Sequence, residues 1–387
     1  MKQTALTKRH FTRVTQVAMA SAAFALLAAC GGGSDNNSSS SSTPAGGVKL
    51  QVVSFGDSLS DVGTYAPVIL QNFGGGRFTT NPGEVWTQKV AEYYGDTLTA
   101  AALGGFGQPL VSTSGFGYAQ GGARVVDPNG PGHAPAGQPS YAQATTVPIV
   151  TQVQNYLSAH GSFNSNQLVL VNGGANDIFT QLPALATAIT TDIAGGMNSQ
   201  LAVQTETLKT LGPVAVALAQ QVGVILQSGA THVVVSNVPD IGSTPLALRE
   251  VKTLGAQAPA LITGITQVYN AAFFGALQQA GLYSKVIPID VFTWQDKLMA
   301  NASASGFTVT NTDTACNLTA MATAAAKFGE PDPTAFASSL FCSPQTLTVA
   351  GADQTYMFAD TVHPTTHVHA LFAQFVQSQV AASGLGK

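Results

Sequence analysis

The seven residues Phe55-Gly56-Asp57-Ser58-Leu59-Ser60-Asp61 are the most informative stretch of this chain. They follow the apolar run Leu50-Gln51-Val52-Val53, which is typical of a buried β-strand, and they precede polar residues that favour a helix start. A serine at such a turn lies at the carboxyl end of a sheet, where a helix N-terminus stabilises developing negative charge. Ser58 is therefore a candidate nucleophile.

A possible base for Ser58 occurs near the other end of the chain, in Asp360-Thr361-Val362-His363-Pro364. A serine hydroxyl is a weak nucleophile until a neighbouring base takes its proton, and imidazole is the commonest such base. Asp360 precedes His363 by three residues and can orient its ring. The two segments together indicate a serine hydrolase.

The rest of the chain alternates apolar strand-like runs with longer helical stretches. Strands are predicted at 50–55, 168–172, 232–236 and 285–292, and helices at 84–94, 147–160, 201–228, 259–280 and 364–380. Because continuous apolar strands between helices are typical of a sheet covered on both faces, we predict a mostly parallel sheet. Residues 104–148 are predicted as irregular loop, and residues 301–354 as an insertion.

The N-terminus has the pattern of an export signal. Within the predicted signal at residues 1–29, the first thirteen residues contain four lysine or arginine residues and no acid. The remainder is an apolar, alanine-rich stretch that is too short to span a membrane comfortably. The stretch ends in Leu27-Ala28-Ala29-Cys30, which resembles the lipobox of bacterial lipoproteins and implies lipid attachment at Cys30. The alternative is an ordinary signal peptide that ends near a cysteine.

Residues 30–47 are rich in Gly, Ser and Asn and are predicted to be a flexible tether. The folded domain is then expected at 48–387. Gly31 stands where an aspartate would favour retention at the inner membrane. We therefore expect an exported, lipid-anchored protein at the outer membrane or cell surface, with the membrane as a partner through its anchor.

The charge of the chain excludes some functions. Removal of the predicted signal takes the net charge from −4 to −8, and no basic patch is visible, which argues against binding nucleic acid. No apolar run after Cys30 is expected to cross a membrane. Charged residues make up only 9% of the chain, which fits an exported enzyme with an apolar substrate.

Two cysteines, Cys316 and Cys342, remain after Cys30. In an exported domain they are predicted to form one disulfide, worth about 3–4 kcal/mol by loop entropy. A metal site at His363, His367 and His369 is not expected, because His363 is assigned to Ser58 and the other two would lie on different faces of one helix.

Four short blocks carry a resemblance to a known family. They are Gly56-Asp57-Ser58-Leu59-Ser60, Tyr118-Ala119-Gln120-Gly121-Gly122-Ala123, Gly173-Gly174-Ala175-Asn176-Asp177 and Asp360-Thr361-Val362-His363-Pro364. In this order they resemble the GDSL lipases and esterases, also called SGNH hydrolases, and in particular the branch of secreted bacterial lipases and phospholipases and plant GDSL lipases. Flanking segments that also match this branch are Gly76-Arg77-Phe78, Val85-Trp86, Asn237 to Pro245, Tyr269-Asn270 and His369.

The resemblance implies a three-layer α/β/α domain with a flavodoxin-like parallel sheet and no cofactor. It implies Ser58 as nucleophile, His363 as base and Asp360 as its partner. The implied oxyanion donors are the Ser58 and Gly122 backbone amides and the Asn176 side chain. Gly121 could be confused with Gly122.

The implied reaction is hydrolysis of carboxylic esters of lipid-like substrates, such as phospholipids, lysophospholipids or short-to-medium acyl esters, through an acyl-enzyme on Ser58. Acyl transfer to an alcohol acceptor would use the same residues, and removal of O-acetyl groups from a polysaccharide is a further alternative. A catalytically silent surface-binding lipoprotein is disfavoured because Ser58, Asn176, Asp360 and His363 are all present.

Overall fold

Strands and helices alternate along the chain, as the apolar pattern predicts. The structure, a computed structural model, describes residues 43–327 and 337–387. Its strands are β1 (Gln51–Phe55), β2 (Ala102–Gly105), β3 (Gln108–Ser112), β4 (Gln167–Val171), β5 (His232–Ser236) and β6 (Ile287–Ile289). Its helices are α1 (Ala66–Phe73), α2 (Trp86–Tyr93), α3 (Ile149–His160), α4 (Ala175–Ala194), α5 (Ser199–Gln227), α6 (Pro245–Leu254), α7 (Ala258–Gln279), α8 (Val291–Ala300), α9 (Leu318–Lys327), α10 (Ala352–Thr355) and α11 (Thr366–Ala382).

Four strands form a parallel sheet in the order β1-β4-β5-β6. On the free side of β1, Gly117 adds a parallel bridge to Ser54, with Ser54 N–H donating to Phe116 O (3.1 Å) and Tyr118 N–H donating to Ser54 O (2.8 Å). With this bridge as the outer position, the order matches the flavodoxin-like arrangement. The predicted parallel sheet and fold class are confirmed.

Helices cover both faces of this sheet. Alternate strand residues such as Val53, Val169 and Val233 pack into one core with α3, α4, α5 and α7. Their neighbours, such as Val52 and Leu168, pack into a second core with α2 and α11. This is the period-two alternation expected of a strand with two buried faces, and it produces three layers.

One strand is shorter than its apolar pattern predicts. The stretch 285–292 was predicted as a single strand, but β6 covers only Ile287–Ile289 and α8 begins at Val291. The Asp290 side chain accepts a hydrogen bond from Thr293 N (3.1 Å) and caps the new helix. An acidic N-cap stops the strand although the apolar residues continue past it.

Several elements were not predicted from the sequence. These are α1, α4, α6 and α8, the β2–β3 hairpin at the start of the predicted loop 104–148, α9 inside the predicted insertion 301–354, and α10 at its end. Helix α4 contains Pro183, a residue that normally argues against a helix interior, and α6 begins at Pro245, where a proline is well tolerated.

The folded unit begins before the predicted boundary at residue 48. It extends from Thr43, and within the stretch assigned to the tether Gly46 N–H donates to Tyr93 O (2.8 Å) while Gly46 O accepts from Lys387 N (2.9 Å). Residues 43–47 therefore contact the domain. The predicted signal at 1–29, Cys30 and the tether up to residue 42 lie outside the described residues.

Contrary to the expectation from the sequence, two core helices, α5 and α7, are long and apolar enough to cross a membrane by length and composition. Both helices contribute side chains to the same core, including Leu211 and Leu218 of α5 and Ile262 and Phe273 of α7. Their apolar composition is accounted for by this packing against each other and against the sheet.

A histidine is buried where α11 packs on α2. His369 is 1% exposed, and its Nδ1 accepts a hydrogen bond from Trp86 N (3.2 Å). Burial, with repulsion from His363 added, lowers the pKa of His369 to about 3. Protonation of Nδ1 would break the bond to Trp86, so the folded state holds this ring neutral.

We expect His369 to make the domain sensitive to acid. The unfolded chain takes up a proton at this ring as the pH falls below about 6.5, whereas the folded chain does so only near its lowered pKa. The free energy of unfolding should therefore fall by about 2–3 kcal/mol between pH 7 and pH 4.5 from this group alone. Urea unfolding of His369→Asn should show a flatter pH profile than the wild type.

His367→Asn is the matched control, since this histidine lies two residues away on α11 and is partly exposed. It should keep the wild-type slope. An unchanged slope in His369→Asn would show that the acid sensitivity arises elsewhere.

Candidate active site

The turn after β1 holds Ser58 by hydrogen bonds to its neighbours. Ser58 begins a 3₁₀ turn, and the side chain of Asp57 caps this turn by accepting from Leu59 N (3.1 Å). Asn172, which follows β4, donates from Nδ2 to Asp57 Oδ1 (2.8 Å). A Cβ on Gly56 would lie 2.1 Å from Asn172 Oδ1, so glycine is required where the two strand ends meet.

Ser58, His363 and Asp360 form a chain of short hydrogen bonds. Ser58 Oγ lies 2.8 Å from His363 Nε2, and His363 Nδ1 lies 2.7 Å from Asp360 Oδ2. The ring of Phe78 packs on the imidazole with 5.0 Å between ring centres. This is the arrangement in which an imidazole accepts a proton from a serine while a carboxylate fixes its other nitrogen.

The Asp360 carboxylate is buried but well supplied with donors. Burial alone would raise its pKa, but the charge and hydrogen bond of His363, together with the backbone amides of Val362 and His363, lower it to about 2. The amides of Val362 and His363 donate to Oδ1 at 2.9 and 2.8 Å, and Ser339 N donates to Oδ2 at 2.5 Å. Asp360 is therefore ionised at neutral pH and fixed in orientation.

The disulfide is connected to the segments that hold Asp360. Cys316 and Cys342 are bonded to each other. Cys316 N–H donates to the carbonyl of Ala359, the residue before Asp360 (2.9 Å), and Cys342 follows by three residues Ser339, which donates to the carboxylate. One end of the disulfide is thus hydrogen-bonded to the residue before Asp360, and the other end lies three residues from a donor to its carboxylate.

Three polar donors point to one cavity beside Ser58. Among the hydrogen bonds between described residues, the backbone amides of Ser58 and Gly122 have no acceptor. Asn176 uses one amide hydrogen on Ala123 O (2.9 Å) and keeps a second. Ser58, Gly122, Asn176 and His363 all line the cavity, so three hydrogen-bond donors of the kind that stabilise an oxyanion share one space with an imidazole.

The structure shows that Gly121 and Gly122 differ in their backbone amides. The amide of Gly121 donates to Asp61 Oδ2 (2.8 Å) and is thereby occupied. Gly122 has a positive φ of 78°, and a Cβ there would lie 2.2 Å from Pro131 O. A glycine is required at this position to turn the free amide into the cavity.

The cavity has a volume of about 520 Å³ and is largely apolar. Apolar parts of its wall come from Phe78, from Phe106, from helix α4 with Phe179 and Leu182, from helix α6 and from the region around Leu340. An apolar space that opens on a serine and a histidine is suited to an acyl group of an ester.

The other acids near the site hold the backbone. Asp61 accepts from the amides of Gly63 (2.9 Å) and Thr64 (2.8 Å) as well as from Gly121. Asp177 accepts from Val125 N (3.0 Å) and from Arg124 Nε (3.1 Å). Neither carboxylate forms a hydrogen bond with Ser58 or His363, so both act on the backbone around the site.

The three histidines near the C-terminus have separate partners. His363 contacts Ser58 and Asp360, His367 Nδ1 lies 2.7 Å from Gln354 O, and His369 accepts from Trp86. Within residues 43–327 and 337–387, no group of three His, Cys, Asp or Glu side chains is placed to hold a metal ion.

Sequence reasoning missed several residues of the site. Asn172 was assigned to a strand, the Ser339 amide carries no side-chain signal, and the cavity wall on α6 was not foreseen. One signal for α6 was available, since Thr244-Pro245 is a helix-start pattern with proline in the first turn.

Comparison with known proteins agrees with this geometry. A family model, that of the GDSL-like lipase/acylhydrolase proteins, matches residues 52–376, which include most of β1, the turn at Ser58 and most of α11. No curated protein matches the sequence at a significant level. The chain belongs to the GDSL-like lipase/acylhydrolase family and is therefore an acyl hydrolase of the esterase/lipase type.

Proposed function

We propose that the protein hydrolyses carboxylic esters of lipid-like substrates through an acyl-enzyme on Ser58, with no cofactor. The observation that carries the proposal is the hydrogen-bonded chain Ser58–His363–Asp360 at an apolar cavity of about 520 Å³. The acyl group of a phospholipid, a lysophospholipid or a short-to-medium acyl ester would occupy this cavity.

In the first half of the reaction, Ser58 Oγ attacks the ester carbonyl carbon and its proton passes to His363 Nε2. The carbonyl oxygen becomes an oxyanion, and the amides of Ser58 and Gly122 and the Asn176 side chain donate to it. One such donor typically contributes about 3–4 kcal/mol in the transition state. The carbon–oxygen bond to the alcohol then breaks, and His363 returns the proton to the departing oxygen.

In the second half, water attacks the acyl carbon and gives its proton to His363. The bond to Ser58 Oγ breaks, the serine regains a proton, and the carboxylic acid leaves. Asp360 keeps its negative charge throughout, because its pKa of about 2 is far below that of imidazole, and it stabilises the imidazolium formed in each half.

We further propose that Cys30 carries a lipid and that the following residues tether the domain to an outer membrane or cell surface. The support is the lipobox-like Leu27-Ala28-Ala29-Cys30 and the Gly/Ser/Asn-rich stretch after it. An anchored enzyme would meet substrates in or near the same membrane. Several acyl chains would be needed for firm attachment, since one chain binds only marginally.

Ser58→Ala should lower kcat/KM for p-nitrophenyl butyrate by at least about 10⁴-fold, because no other group replaces the nucleophile. Labelling by a fluorophosphonate probe should disappear while the circular dichroism spectrum is unchanged. Ser54→Ala is the matched control. Ser54 lies four residues earlier on β1, and its buried Oγ has no partner among the described residues. It should keep activity within a few-fold, and full activity of Ser58→Ala would refute the mechanism.

Removal of the disulfide by Cys316→Ala with Cys342→Ala should lower kcat about tenfold or more, because Ser339, which donates to the Asp360 carboxylate, and Ala359, which precedes Asp360, lose their support. Unfolding free energy should also fall, by about 3–4 kcal/mol in the loop-entropy treatment. Ester hydrolysis is measured at a temperature where both proteins are folded. Dithiothreitol should slow the wild type and leave the double variant unaffected. A folded double variant with wild-type kcat would contradict this coupling.

Cys30→Ser should move the protein from the membrane fraction to the soluble fraction of bacteria that export it. Turnover of a soluble ester should not change, since Cys30 lies outside the folded unit that begins at Thr43. Ser42→Ala, also in the predicted tether, should remain membrane-bound and serves as the control. Persistent membrane attachment of Cys30→Ser would overturn the proposed anchor.

A further inference from the structure

Helix α6 forms one wall of the cavity next to Ser58. Its residues Leu246, Glu250, Thr253 and Leu254 line the space, at helical spacings of four, seven and eight residues. These spacings place the side chains on one face of the helix. Glu250 lies in the middle of this face and is partly buried.

Glu250 forms no ion pair with any residue of 43–327 or 337–387. The basic residues nearest in sequence, Arg249 and Lys252, are one and two positions away, spacings at which helical side chains do not face each other.

The described lining of the cavity contains no lysine or arginine. Its other titratable side chains, Asp360 and His363, are hydrogen-bonded to each other at 2.7 Å. Glu250 is thus the one negative charge on the described wall that is left for a ligand.

A carboxylate in a space of low polarity discriminates strongly by charge. Water screens it poorly there, so it attracts a cation and repels an anion more than at an open surface. The same cavity is lined by the rings of Phe78, Phe106 and Phe179, and aromatic faces attract weakly hydrated cations such as quaternary ammonium groups.

We infer that Glu250 determines specificity by selecting acyl esters that carry a positively charged group, of the quaternary ammonium or protonated amine class. The inference rests on the proposed ester hydrolysis and adds a substrate class to it. Glu250 takes no part in bond making, so uncharged esters should not depend on it.

Two esters of equal shape test the inference. Butyrylcholine carries a quaternary nitrogen, and 3,3-dimethylbutyl butyrate carries a carbon in its place. Release of acid from each is followed by titration at constant pH for the wild type, Glu250→Gln and Glu92→Gln. Glu92→Gln changes the net charge by the same amount, but Glu92 is exposed and lies outside the described cavity lining.

We expect the wild type to prefer butyrylcholine about tenfold in kcat/KM, which corresponds to about 1.4 kcal/mol. In Glu250→Gln the preference should disappear because kcat/KM for butyrylcholine falls. The value for the neutral ester should stay within about twofold of the wild type. Glu92→Gln should keep the preference.

Equal hydrolysis of both esters by the wild type, or an equal loss on both in Glu250→Gln, would overturn the inference while leaving ester hydrolysis intact. Failure of the proposed function itself would look different. In that case neither ester would be hydrolysed in a manner that depends on Ser58.

Discussion

The hydrogen bond between Ser58 Oγ and His363 Nε2 joins two residues that are 305 positions apart in the chain. A contact of 2.8 Å over that separation requires the turn after β1 and the loop before α11 to be fixed on one another. The segment between α1 and α2 holds the loop before α11 in place. Thr79 Oγ1 donates to Pro364 O (3.0 Å), and Thr366 N donates to Thr80 Oγ1 (3.0 Å). The rest of the site is arranged around this closure.

The residues that form the contact, Ser58 and His363, could be predicted from the sequence for a physical reason. A nucleophile, its base and the partner of the base each demand a particular residue type at the end of a strand or the start of a helix. Such positions are marked by local signals, as at Ser58 and His363. Asn270 lies inside α7 and was identified instead through the family resemblance of Tyr269-Asn270. It bonds to the loop after β5 by accepting from Val238 N (2.9 Å) and donating to Val238 O (2.7 Å).

Elements whose local sequence favours a different structure could not be predicted from the sequence. Pro183 lies inside α4, and its cost is offset by burial of residues such as Ile178 and Leu185 in the core. The apolar residues after β6 continue into α8, so hydrophobicity alone could not show that Asp290 ends one element and caps the next. In both places tertiary packing or a single cap outweighs the local pattern, and neither is visible as a period in the sequence.

The residues that line the substrate cavity were the hardest part of the site to predict from the sequence. Hydrolysis constrains residue identity, whereas a cavity wall is constrained only in shape and polarity, and many residues satisfy those. Helix α6 illustrates the difference. Its cap-like start at Thr244-Pro245 predicts a helix, but only its packing beside Ser58 turns Glu250 toward the cavity wall. Membership of the family therefore accounts for the reaction, while the proposed selection by charge depends on Glu250, which lies beyond the matching segment Asn237 to Pro245.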